Sequence, residues 1–120
     1  MTRTEPRQAA FETLYAADMA GASHPDVHGL GPRATALASG TWEAREALDR
    51  ELEAVAAGWR VERMPAVDRS VLRLALYELR HTDTPVAVVI SEAVEIAKNY
   101  STERSGSFVN GVLGALAGPE

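Results

Sequence analysis

A chain of 120 residues, 46% hydrophobic and 24% charged, has the balance of a globular protein built on one core. It has no cysteine, which excludes disulfides and thiolate metal sites, and no apolar run approaching the roughly 20 residues that cross a bilayer. The net charge of -5 excludes a protein that coats nucleic acid at large, because such binding rests on many Lys and Arg contacts to phosphate; any RNA site must be local.

In chain order, the first helix is expected from about Glu5 to Ala20, with Ala9, Leu14, Tyr15 and Met19 able to share a side and Gly21 as the stop. Residues 21–31, rich in Gly, Ser, His, Pro and Asp, read as a loop. Within it His24, Asp26 and His28 have a spacing that would offer two imidazoles to a metal on a helix. Pro25 argues against that helix and no further ligand supports the set, so no metal site is assigned. Pro32 opens a second helix through Leu37 and Ala38, expected to end or bend near Gly40-Thr41. A third, from Trp42 to Ala57, turns Leu48, Leu52, Val55 and Ala56 inward and leaves Glu43, Arg45, Glu46, Arg50 and Glu53 in solvent. Trp59 to Met64 allows a single turn, and Pro65 leads into a long helix from Ala66 to Arg80.

The most informative stretch follows. Val86, Val89, Ile90, Ala93, Val94 and Ala97 recur at steps of three and four, which predicts an amphipathic helix after Thr84-Pro85. After a polar break, Ser105-Gly106-Ser107-Phe108-Val109-Asn110-Gly111-Val112-Leu113 begins the last helix, with Ser105 expected as its N-cap and free amides near Gly106 and Ser107 as a small anion site beside Arg104. Asn110 reads as a buried amide, and Gly111 as a point of close helix packing. The connections other than residues 21–31 are short, which predicts an all-α bundle of antiparallel neighbours.

These words resemble the NusB family of bacterial transcription antitermination factors. Glu92-Ala93 and Ala97-Lys98 followed by Phe108-Val109-Asn110-Gly111-Val112-Leu113 carry the resemblance, with Val71-Leu72-Arg73-Leu74-Ala75-Leu76-Tyr77-Glu78-Leu79 as the preceding helix and Ala9-Ala10-Phe11-Glu12-Thr13-Leu14-Tyr15 in the form of the first. The resemblance implies a compact seven-helix fold of two packed three-helix groups, a single domain over residues 1–120. It implies binding of boxA-type single-stranded RNA together with the small-subunit ribosomal protein NusE, and delivery of that pair, with other Nus factors, to elongating RNA polymerase, notably on rRNA operons. No cofactor, catalytic step or membrane is expected, and the compartment is expected to be the cytoplasm.

The candidate RNA-binding residues are Arg3, Arg7, Tyr15, Arg69, Arg73, Arg104, Ser105, Ser107 and Phe108. Arg3 and Arg7 stand one helical turn apart where the family carries a denser arginine stretch, here interrupted by Glu5 and Pro6. Arg69 and Arg73 are four apart and share a face. Phe108 either stacks on an unpaired base or enters the core. The resemblance places Tyr15 and Asp68 on the surface shared by RNA and the partner protein; without the resemblance, Asp68 is a favourable first-turn charge and Tyr15 a half-buried ring. A competing expectation is a protein-only helical adaptor or homodimer with weakened RNA binding, favoured by the acidic charge and the broken arginine stretch. Convergence of the arginines on one face would favour RNA.

Overall fold

The structure, a computed structural model, describes residues 4–56 and 58–118. Six α-helices follow one another: α1 (Thr4–Ala20), α2 (Pro32–Glu43), α3 (Arg45–Val55), α4 (Ala66–His81), α5 (Val86–Tyr100) and α6 (Glu103–Ala117). A 3-10 turn, Val61–Arg63, stands where the seventh helix was expected. The all-helical reading of the sequence holds, and no strand occurs among the described residues.

Backbone chemistry sets the ends. Gly21 stops α1 with a φ of 63°, and Gly58 turns the chain after α3 with a φ of 78°, both in the left-handed region that costs a side-chain-bearing residue energy. Pro32 occupies the first turn of α2, where its missing N–H leaves no bond unmade. α2 does not break at Gly40-Thr41 but runs on to Glu43. Gly40 has a packing role instead: a Cβ there would collide with the Tyr77 hydroxyl of α4.

α4 is the centre of the molecule. It packs against each of the other five helices and joins the α5–α6 pair to α1, α2 and α3. Its apolar face, Val71, Leu72, Leu74, Ala75 and Leu76, meets Phe11 and Leu14 of α1, Leu37 and Ala38 of α2, Leu48 and Leu52 of α3, Val89 and Ala93 of α5, and Val109 and Leu113 of α6 in one core. Trp42 fixes the loop of residues 21–31 by donating from Nε1 to the Ser23 carbonyl at 2.9 Å, with the Arg45 guanidinium 4.2 Å from its ring centroid. Within that loop the His28 amide donates to Asp26 Oδ1 at 3.0 Å, a local turn.

Two expectations for α6 are corrected. Thr102, not Ser105, is the N-cap: its hydroxyl accepts from the Ser105 amide at 3.1 Å, and the Gly106 amide is already bonded to the Thr102 carbonyl. Asn110 is exposed rather than buried, and Gly111 has open space around it. The inward positions are Val109, Val112 and Leu113, and a helix with that phase sends residues 110 and 111 outward. Gly106 is the glycine of close approach, where a Cβ would stand 2.6 Å from Lys98 Cγ.

Candidate nucleic-acid interface

The arginines read from the sequence take two different places. Arg7 is buried, 3% exposed, and its guanidinium makes a two-point contact with Glu78, Nε to Oε2 at 2.6 Å and Nη2 to Oε1 at 2.8 Å. Glu78 is wholly buried, and Glu92 lies 3.5 Å from Arg7 Nη1. The hydrogen bonds that Arg7 donates to Glu78 hold its pKa above the ordinary value. The expectation of a solvent-facing phosphate contact at Arg7 is therefore corrected: this residue ties α1 to α4 across the core.

Arg69 and Arg73 do share a face of α4, but their donors are engaged. Arg69 holds Asp18 of α1 at 2.5 Å and also reaches the Met64 carbonyl at 3.0 Å; Arg73 grips both oxygens of Asp49 of α3 at 2.7 and 2.8 Å. Arg3 lies outside the described residues. Among the described arginines expected at RNA, Arg104 alone is exposed, so convergence on one basic face does not occur.

What the structure does assemble is a corner pocket of about 320 Å³ between α4 and the start of α6, lined by Trp59, Pro65, Asp68, Ser101–Thr102, Arg104, Ser105 and Phe108. Three residues singled out in α6, Arg104, Ser105 and Phe108, and Asp68 from α4 meet here. Phe108 is half-buried, resting on the core with one side and facing the Trp59 ring at 6.0 Å and 60° with another. The ring is thus neither wholly in the core nor wholly free. Trp59, 51% exposed, was not singled out as a site residue. Its signal was a bulky aromatic in a short turn directly after Gly58, outside any helical period.

Asp68 and Ser105 are the buried members of the pocket wall. The Asp68 side chain is 4% exposed, and its Oδ1 has no hydrogen-bond partner among the described residues. Burial pushes its pKa up, with the Ser105 hydroxyl pulling the other way. Ser105 Oγ also lies 2.9 Å from Ser101 Oγ, a hydroxyl that can donate to it, while Ser107 is exposed beside it. The free amides of the α6 start are those of Glu103 and Arg104, nearer the chain's polar corner than expected. Tyr15 lies on α1, half-buried and stacked on Phe11 at 5.9 Å; it is absent from the pocket wall.

Comparison with known proteins now decides the family. The model of the NusB family matches residues 4–118. The chain belongs to the NusB family. A transcription antitermination protein NusB from Anaeromyxobacter dehalogenans is 42% identical, with 96% of this chain and 89% of the relative covered. The NusB structure from T. maritima superposes with a TM-score of 0.86 at 34% identity, covering 98% of this chain and 91% of that one. A structure of the antitermination factors NusB and NusE in complex with double-stranded RNA matches with a TM-score of 0.81 at 27% identity, covering 98% of both chains. The NusB relatives thus share the whole helical frame that carries the corner pocket.

Proposed function

We infer that this chain is a transcription antitermination factor that binds boxA-type single-stranded RNA jointly with the ribosomal protein NusE, and that the pair joins elongating RNA polymerase and other Nus factors, notably on rRNA operons. It acts in the cytoplasm, without cofactor or catalytic step, as a single NusB-like domain over residues 1–120. The observation that carries this reading is the match along almost the whole chain to a NusB seen with NusE and RNA. The corner pocket supports it physically, because it places an aromatic pair beside the exposed cation of Arg104.

Buried or engaged arginines set the energetics. With Arg7, Arg69 and Arg73 committed to acids, the free protein offers few cations to a phosphate backbone. Affinity must come from two modest surfaces, one for RNA and one for NusE, each of which lowers the entropic cost of engaging the other. The RNA surface is the corner with Arg104, Ser107 and Phe108; Tyr15 and Asp68 belong to the surface shared by RNA and NusE, with Asp68 in the corner wall. Ser105 supports the corner from beneath, and Arg69 and Arg73 hold the helices that carry it. The protein-only adaptor draws no support from the relatives.

Titration of labelled boxA-type RNA with the protein, with and without NusE, at two salt concentrations tests the reading. Binding should be strong with NusE and weak without it. The salt slope of the protein alone should be shallow, near the ~0.7 expected for one phosphate contact on a single strand. Absence of RNA binding in the presence of NusE would overturn the proposal and restore the adaptor.

A further inference from the structure

The corner pocket contains a feature that phosphate binding does not use: an acceptor-only group at its base. The Asp68 carboxylate is almost wholly buried, it lines the cavity, and its Oδ1 is without a hydrogen-bond partner. A buried polar atom left unpaired costs free energy, and among the described residues no cation is bonded to it. The Arg104 side chain, the exposed cation of the pocket wall, makes no ion pair among the described residues. Two aromatic rings at 60° to one another, the half-exposed Trp59 and the half-buried Phe108, line the same pocket. An apolar slot with one ring face, one ring edge, a deep acceptor and a cation at the rim suits a flat heterocycle that carries donors on one edge and a phosphate behind it.

Building on the RNA-binding reading above, we propose that this corner is a single-base pocket that takes one unpaired guanine of the RNA, stacked on Trp59 and edge-on to Phe108, with its Watson–Crick edge on Asp68 and its phosphate at Arg104. The base identity follows from donor chemistry. An ionised carboxylate only accepts, and guanine places N1–H and N2–H side by side, so both of its donors meet the carboxylate. Adenine and cytosine set a ring acceptor nitrogen next to their amine, which would face the carboxylate lone pairs. Uracil has one N–H between two carbonyls, with the same conflict. The first-turn amides of Glu103 and Arg104, which have no intrahelical acceptor, belong to the same helix start as the Arg104 side chain. The pocket volume of about 320 Å³ is at the low end for small-ligand sites, as fits one base rather than a stacked pair.

The test uses the protein with NusE and boxA-type RNA, and versions of that RNA in which each guanine in turn is replaced by inosine, which lacks the 2-amino group. For wild-type protein, inosine at one position should weaken binding by about tenfold, the scale of a lost bidentate base contact. In Asp68→Asn the same replacement should make little difference, because the acceptor pair is gone while the shape is kept. RNA should also quench the tryptophan fluorescence of the wild type, and the quench should vanish in Trp59→Phe. Equal binding of guanine and inosine RNA at every position, or an undiminished inosine penalty in Asp68→Asn, would overturn the base pocket while leaving RNA binding standing. Quenching of Trp59 by NusE alone, unchanged when RNA is added, would assign the pocket to a protein side chain and overturn it too. Failure of the wild type to bind any RNA with NusE would bring down the functional reading itself.

Discussion

Glu78 and Asp68 are two buried carboxylates on the same helix, α4, and they are treated in opposite ways. Glu78 receives a two-point guanidinium contact from Arg7, with Arg33 a further 3.9 Å away. Asp68 has only the Ser105 hydroxyl against it and keeps Oδ1 unpaired. One buried charge is neutralised within the fold; the other is left at a cavity wall. A group that the fold could have satisfied and did not is the better marker of a binding surface.

The sharpest way to break this contrast is Arg7→Ala. Removing the guanidinium strands the Glu78 charge in the core, and the loss should be about 3–5 kcal/mol of unfolding free energy in urea titration. Replacing both partners, Arg7→Met with Glu78→Leu, should recover most of it, since apolar side chains of similar volume carry no desolvation cost. A fully stable Arg7→Ala protein would show that the pair is no structural tie.

Arg7 also shows where the sequence stops being legible. Its position one turn from Arg3 looked like half of a basic stripe, because spacing reveals local neighbours and not a carboxylate 71 residues away in the chain. Arg69 and Arg73 were read correctly as sharing a face, yet what that face meets, Asp18 and Asp49, depends on how α1 and α3 dock. The helices were legible because their apolar residues recur at three and four and prolines and glycines punctuate them. In α6 the same period, Val109, Val112, Leu113, placed Asn110 and Gly111 outside, although Asn110 within Phe-Val-Asn-Gly read as a buried amide tying helix ends. Arg104, Ser105 and Phe108 were found as one local word; Trp59 was missed because a short turn gives no period against which to weigh it.

At the corner, the expected effects are smaller and differ in kind. Phe108→Ala should lower RNA affinity in the presence of NusE by roughly 1–3 kcal/mol, the worth of one base stack. Because the ring is only half-buried, the cost in stability should stay below the roughly 3–5 kcal/mol of a phenylalanine wholly in the core. Thermal melts run beside RNA titration separate the two losses. A core-sized drop in stability with affinity intact in the folded fraction would move Phe108 to the structural side of the comparison.

Thr102→Ala probes the backbone beneath the pocket. Its hydroxyl is the side-chain cap of α6, so its loss should cost about 1 kcal/mol in chemical denaturation. Thr102→Ser should restore it, since the oxygen that accepts from the Ser105 amide is retained. Equal stability of the alanine and serine variants would show that the cap contributes nothing and that packing alone fixes the start of α6.

Asp68→Asn should have the smallest effect on stability, and one opposite in sign to Arg7→Ala. Burial raises the Asp68 pKa above 3.8 in the folded protein, so the folded state holds that proton more firmly than the unfolded chain. The resulting stabilisation is fully present below pH 3.8 and is lost as pH rises through the folded value; above that value the carboxylate is charged in both states and its burial is a net cost. Asparagine removes the charge and keeps the shape, so the melting temperature should rise slightly at pH values above the folded pKa. The difference in stability between wild type and variant should change with pH only between 3.8 and the raised value, and be flat on either side of that window. Melting curves of both proteins over that range give the answer. A variant destabilised at neutral pH on the scale of Arg7→Ala would mean that Asp68, like Glu78, is a structural charge, and the distinction between the two carboxylates of α4 would fall.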